Sequence, residues 1–395
     1  MHRNKPTLPR RHGTLTRRTL LCAAPGVAAL GVTTWTGAAT GPGISATEIL
    51  IGQTLTLQGG RNAYGVEVQA GVRAAVEAAN RSGGVNGRRL VLQTLDDGND
   101  PAKAEANARQ LAGQGVFVLF GSIEGNPSAA VMNAAVQTST PFFGPMAGAP
   151  VLRRPHQPLV FPVRAEHRDE FKALMEQGRR IGLRRVALFH SDTTVGREHL
   201  ANVEKLALSI GLEFGGGVPF KSDITDDSLT GVAAQLQRQG VDLLLNHGSA
   251  GVYGRLVRAA RRSGLRLSIW GVNSGSSPLA AELGPLAHGM IFSQVVPHPN
   301  SGKTALAREY QAKLEALAPG TARTYGGLEG FMTAKALLVA LQAAGPNPTR
   351  QSLLAGAETV DVDLGGVQLR WRPGDHAGCS FVDLALVGRD GRFVQ

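Results

Sequence analysis

At 395 residues, with 43% hydrophobic and 18% charged side chains, the chain is long enough for two globular cores and too apolar to be disordered. Its net charge of +11 is concentrated at one end, where Arg3, Lys5, Arg10, Arg11, Arg17 and Arg18 lie in residues 1–39 with no acidic partner. Without those six, 35 basic side chains face 30 acidic ones, and aromatics are only 5%, which excludes the basic, aromatic-laced surface of a nucleic-acid binder.

The N-terminus has the order of an export signal. A basic region ends in "TRRTLL", a 13-residue apolar run "LLCAAPGVAALGV" follows, and small residues close it in "TTWTGAAT". Arg17-Arg18 before Thr19-Leu20-Leu21 gives the signal a twin-arginine look, with cleavage after Ala39 or Ala38. The alternative is a disordered basic tail. A lipid anchor on Cys22 is disfavoured by bulky Leu21 before it, and no later run reaches the ~18 apolar residues of a membrane span. Cleavage leaves Cys379 alone, so neither a disulfide nor a cysteine-based zinc site is expected. The expected location is the periplasm, and the expected cofactor and metal content is none.

From Glu48 onward strand-like and helix-like segments alternate. "EILIGQTLTL" reads as a strand, and 66–80 as a helix with Val68, Val72, Ala75, Val76 and Ala79 on one face. Asn86-Gly87 marks a turn before the next strand, and Asp100-Pro101 reads as N-cap and first residue of a helix ending at Gly113. A strand at 116–120, a helix at 127–138 and a short strand "PFFGP" complete the first round. After "PLVFPVRAEHRDEF" a second round begins: strands "RRVALFH", "VDLLLNHG", "LSIWGV" and "HGMIFSQVV", with helices "REHLANVEKLALSIG" and "VYGRLVRAARRSG". Helices near 303–317 and 325–344 follow, then a C-terminal hairpin drawn from "GVQLRW" and "FVDLALVGRDGRFV". Continuous apolar strands between helices imply parallel sheets covered on both faces. The fold class is therefore α/β, and two such sheets in one exported chain imply a bilobed protein with a cleft at the carboxyl ends of the strands.

One segment carries a specific resemblance. "YGVEVQAGVRAAVEAANRSGGVNGRRLVLQTLDDGNDPAKAEANARQL" resembles the first lobe of the solute-binding proteins of branched-chain amino acid ABC transporters, and the likeness runs from about residue 48 to 395. It implies the type I periplasmic binding fold, two Rossmann-like lobes with parallel sheets joined by three crossover segments near 161–166, 291–297 and 358–368. Lobe 1 would comprise 46–163 with 295–360, and lobe 2 would comprise 164–294 with 361–395. The implied partners are a small-molecule ligand, an amino acid or small organic acid, and the ABC permease subunits of the inner membrane. The receptor would act as a monomer and not as an enzyme. A periplasmic ligand sensor for a signalling partner is the alternative.

The same resemblance places the ligand on Ser122, Ile123, Glu124 and Gly125 of the loop in "LFGSIEGNPSAA", and on Met146, Ala147 and Gly148 of "FGPMAGAP". Thr194 and Val195 of "SDTTVGREHL", and Asn273 of "WGVNSGS", face them from the second lobe. The family's ligand-binding hydroxyls fall on Glu124 or Gly125 and on Gly148, its tyrosine on Val195, and its acidic partner for the ligand's ammonium on Asn273. These departures favour a ligand lacking the ammonium, because a buried unpaired ammonium is costly. Glu124 either opposes an anion from inside or points to solvent. Tyr64 is either an aromatic cap on the ligand or a surface tyrosine. His247 and Ser249 of "NHGSAG" point at the same cleft, with His247 either a donor to a carboxylate or a structural residue. "SGKT" at 301–304 is not a phosphate loop, since Pro297 stands at its first glycine position. Asp96 and Asp97, on opposite faces of a strand end, read as loop and capping acids.

Overall fold

The protein is described by a computed structural model covering residues 41–58, 63–221, 223–248, 250–272 and 275–394. The expected export signal therefore lies outside the described residues. The chain opens with β1 (Glu48–Leu55), α1 (Tyr64–Arg81), β2 (Arg89–Asp96), α2 (Pro101–Gly113), β3 (Val118–Phe120), α3 (Gly125–Gln137), β4 (Phe142–Phe143) and β5 (Val160–Phe161). The five strands run parallel in the order β2-β1-β3-β4-β5. Local chemistry sets the boundaries as expected. Asn86 and Gly87 take positive φ of 50° and 79°, and the Asp100 side chain accepts from the Ala102 N–H at 2.8 Å with Pro101 opening α2.

The second lobe contains α4 (His167–Arg180), β6 (Arg185–Ser191), α5 (Thr194–Ile210), β7 (Glu213–Phe220), α6 (Asp226–Arg238), β8 (Leu243–His247), α7 (Ala250–Arg262), β9 (Ser268–Gly271), α8 (Ser276–Leu283) and β10 (Ile291–Gln294). Its order β7-β6-β8-β9-β10 repeats that of the first sheet, although the sequence shows no repeat. Within this lobe α4, β7, α6 and α8 have no counterpart in the sequence reading. Three glycines and Pro219 disguise β7, which the fold tolerates because β7 is an edge strand. In α4 the charged residues outnumber the buried stripe of Phe171, Leu174, Met175 and Gly178.

From β10 the chain returns to the first lobe through α9 (Ala305–Leu317), α10 (Tyr325–Ala343) and α11 (Arg350–Ala357). The C-terminus is not the single hairpin expected. β11 (Asp361–Asp363), β12 (Gln368–Arg372) and β13 (Asp375–Gly378) form a separate antiparallel sheet, whereas β14 (Asp383–Leu386) pairs antiparallel with β10. The small sheet docks on the first lobe through buried Trp371, whose indole N–H donates to the Pro162 carbonyl at 2.8 Å and whose ring meets Phe143 and Phe161 edge-on. The third passage between lobes thus falls between β13 and β14 rather than near 358–368. Each large sheet is buried on both faces by separate apolar clusters, as continuous apolar strands require. Among the described residues no helix is long and apolar enough to cross a membrane.

Candidate functional site

In both lobes the loops at the carboxyl ends of the strands face the opposite lobe, at the point where strand order reverses. The loop from β3 to α3 is stiff. Ser122 is fully buried and shares a 2.6 Å hydrogen bond with the Ser128 hydroxyl, and Ile123 bridges to Met146 of the next loop. Glu124 sits half-buried at φ +65°, a strained conformation for a side-chain-bearing residue, and its charge reaches Tyr64. Helix α3 starts two residues earlier than expected, which puts Pro127 in its first turn and removes one N–H an anion would use.

The two lobes touch at these loops. A Cβ on Gly125 would come within 3.1 Å of the Val195 side chain, and Val195 packs with Ala147, Ala149 and Leu152 of the first lobe. Thr194 is exposed beside it. Gly148 lies so close to the second lobe that a Cβ there would sit 2.5 Å from the His167 backbone nitrogen, and its own N–H points at His167 Nε2 at 3.3 Å. Ala147 and Met146 are buried behind it. His247, at the end of β8, is half-buried on the same side. Ser249 and Asn273 lie outside the described residues. A surface groove of about 170 Å³, lined by residues including Ala75, Lys313 and Lys335, is on the outer face of the first lobe, away from all of these loops.

Tyr64 is only 1% exposed, which removes the surface-tyrosine reading. Its hydroxyl donates to Glu329 Oε2 at 2.5 Å, and burial followed by the Glu329 charge holds the phenol well above its ordinary range. Glu329 belongs to a buried network that sequence reasoning missed. Arg164, 0% exposed on the first crossover, lies 3.4 Å from Glu329 of α10 and pairs with Glu170 of α4. Glu170 also accepts from the Ser293 hydroxyl of β10 at 2.8 Å and meets His167 Nδ1 at 2.6 Å. Burial pulls the Arg164 guanidinium down, but the carboxylates of Glu170 and Glu329 outweigh it and its pKa is raised. Both lobes are thus tied at the hinge by one charge cluster. The available signal was a charged residue inside an apolar run, Glu329 in "GGLEGFMTAKALLVAL" and Arg164 in "LVFPVRAEH".

Beside this network His167, His199 and His247 come together, with ring centroids 4.0–5.0 Å apart. His199 occupies the buried stripe of α5 between Val195 and Val203, a core position where the other residues are apolar. Burial keeps all three rings neutral: His167 and His199 fall well below 6.5, and His247 falls to about 4. The unfolded chain protonates these rings near 6.5, so their contribution to stability is complete above that pH and is lost as pH falls toward 4. For His247 alone the loss is on the order of 2 kcal/mol at pH 5. Thermal melts between pH 7.5 and 4 should therefore show a falling midpoint that begins near 6.5, and a flat midpoint down to pH 4.5 would contradict it.

The sequence matches the periplasmic binding protein family over residues 48–391. The chain belongs to that family. Its members are substrate-binding proteins rather than enzymes, and the two-lobed arrangement is the type I periplasmic binding fold. Among relatives, the Leu/Ile/Val-binding protein homolog 2 of Brucella abortus (strain 2308) is 25% identical over 257 residues, 63% of this chain and 67% of that protein. A possible leucine/isoleucine/valine-binding protein from Rhodopirellula baltica SH 1 superposes with a TM-score of 0.80 at 25% identity, covering 90% of this chain and 98% of the other. A fatty acid ABC transporter substrate-binding protein from Thermomonospora curvata superposes at 0.78 with 20% identity, covering 91% and 93%. Proteins named for quite different solutes therefore share this periplasmic binding protein's fold.

Proposed function

We propose that this periplasmic binding protein is the solute receptor of an ABC importer, exported by a cleavable N-terminal signal, and that it captures a small carboxylate between its lobes. The observation that carries the reading is the meeting of the β3–α3 and β4–β5 loops of one lobe with the starts of α5 and α4 in the other, at Gly125–Val195 and Gly148–His167. A solute held there touches both lobes only in the closed form, so binding shifts the hinge equilibrium toward closure. The closed receptor, a monomer, then docks one lobe on each permease subunit. The ligand is drawn from amino acids and related small acids, and Gly148, Val195 and Asn273 favour one without an α-ammonium.

A thermal-shift screen against amino acids, aromatic acids, short aliphatic acids and amides tests this. A true ligand at about 100 times its Kd adds about 2.7 kcal/mol of stability. A carboxylate lacking the ammonium should give the largest shift, together with compaction by small-angle scattering and no turnover. Tight leucine binding with no response to simple carboxylates would refute the preference for a ligand without the ammonium, and a conversion of any solute would refute the receptor.

A further inference from the structure

We propose that His167, His199 and His247 form a binding site for one divalent transition-metal ion of the zinc or nickel kind. Among the described residues they are the one group of three His, Cys, Asp or Glu side chains placed to share an ion, with one donor atom from each lying within 4.8 Å of the others. An ion bound at ~2.0–2.1 Å to tetrahedral ligands needs nitrogens about 3.4 Å apart. Binding would therefore draw the donor atoms together by up to about 1.4 Å from their present separation of at most 4.8 Å.

His199 gives the strongest reason. It is 0% exposed, and neither Nδ1 nor Nε2 has a hydrogen-bond partner. A buried imidazole with both nitrogens unsatisfied is unfavourable in a purely structural role, and nearly all buried polar atoms do find a partner. His247 repeats the pattern, since its Nδ1 is buried without a hydrogen-bond partner while the residue as a whole stays half-buried, which leaves a way in from outside. His167 differs in the informative direction. Glu170 lies 2.6 Å from its Nδ1, and Glu170 is itself fixed by Arg164 and Ser293. The neutral ring therefore carries its proton on Nδ1 and keeps the Nε2 lone pair, opposed only by the long 3.3 Å contact from the Gly148 N–H. A carboxylate that fixes the tautomer and raises the basicity of a histidine is the usual support behind a metal ligand.

The donor set selects the ion. Three neutral imidazoles suit zinc, nickel or copper and leave calcium and magnesium without the oxygen ligands they need. Three nitrogens also leave a fourth position for water or an anionic oxygen. The sequence reading expects no metal, on the ground that a single mature cysteine offers no cysteine-based zinc site. The assignment does not depend on which solute the cleft takes.

The test uses the full chain without a histidine tag, stripped with a chelator and titrated with Co²⁺ by visible absorption and with Zn²⁺ by calorimetry. One ion per chain is expected, with cobalt ligand-field bands and a higher melting temperature of the wild-type protein in Zn²⁺. His199→Gln should weaken binding by more than about 100-fold, since losses of 10- to 100-fold are typical even for residues behind the ligands. If His199→Gln does not fold, His247→Ala at the half-buried position carries the same expectation. His376→Gln, in the separate pair with His156, should bind as wild type does. Less than about one ion per ten chains, or unchanged affinity in the His199 and His247 variants, would overturn the proposal.

Discussion

Arg164→Met is expected to lower the unfolding free energy by about 3–5 kcal/mol, the usual cost of removing one partner from a buried ion cluster. The residue is fully buried and faces two carboxylates from opposite lobes, Glu170 at 0% and Glu329 at 0% exposure. Its loss leaves both acids in a low-dielectric setting, where one must either protonate or draw in water. The remaining donors are modest replacements. Ser293 and His167 Nδ1 each donate one hydrogen bond to Glu170 and Tyr64 donates one to Glu329, at about 1.5–3 kcal/mol for a bond to a charged group. The triple variant Arg164→Met, Glu170→Gln, Glu329→Gln should recover a large part of the loss, because it removes the unpaired charges together with their partner. Urea denaturation at pH 7 measures all of these. A single variant within 1 kcal/mol of wild type would show that the cluster does not hold the hinge.

Gly71→Ala should cost more than about 3 kcal/mol, above the ordinary range for overpacking because the obstacle is backbone. Gly71 lies where α1 crosses α10, and a Cβ there would sit 1.7 Å from the Gly327 carbonyl oxygen and 2.9 Å from the Phe331 nitrogen. Side-chain rotation cannot relieve that overlap, so one helix must shift. The opposite face has the same requirement, since a Cβ on Gly330 would fall 2.3 Å from the Val68 carbonyl oxygen. Helix propensity argues the other way, favouring alanine by about 1 kcal/mol. Gly231→Ala separates the two effects. Gly231 is exposed on α6 with nothing within 4 Å of its would-be Cβ, so there alanine should stabilise by about 0.5–1 kcal/mol. If both variants melted at or above the wild-type temperature, close helix contact would not be what α1 and α10 require.

Much of the frame is legible because it rests on local chemistry. The Asp100 cap, the Asn86-Gly87 turn and the apolar stripe of α1 each depend on residues within one or two turns of the chain. Asp96 and Asp97 read correctly for the same reason. Asp96 accepts from the Leu57 N–H at 2.7 Å, and Asp97 accepts from the Thr56 hydroxyl at 2.7 Å, so both hold loops. Cys379 is buried and its thiol is pushed up to about 11, first by burial, in keeping with an inert small residue. Edge strand β7 and the eight-residue helices α8 and α11 are illegible because their signals are weak or interrupted.

The sequence by itself determined an α/β chain with two rounds of strand and helix, a basic end before them, and loops at the strand ends resembling those that hold a solute. Periodicity, caps and turn residues act over a few positions, so they survive without knowledge of the partner surfaces. Only the tertiary structure decided where the C-terminal strands go, because β12 and β14 are equally good strands and their docking depends on Trp371 finding Pro162 and on β10 offering a free edge. Only it brought Arg164, Glu170 and Glu329 into one cluster, and His167, His199 and His247 into another. Those residues are scattered along the chain, and a lone charge or histidine in an apolar run does not say which partner will bury it. That is a property of packing, and packing is not local.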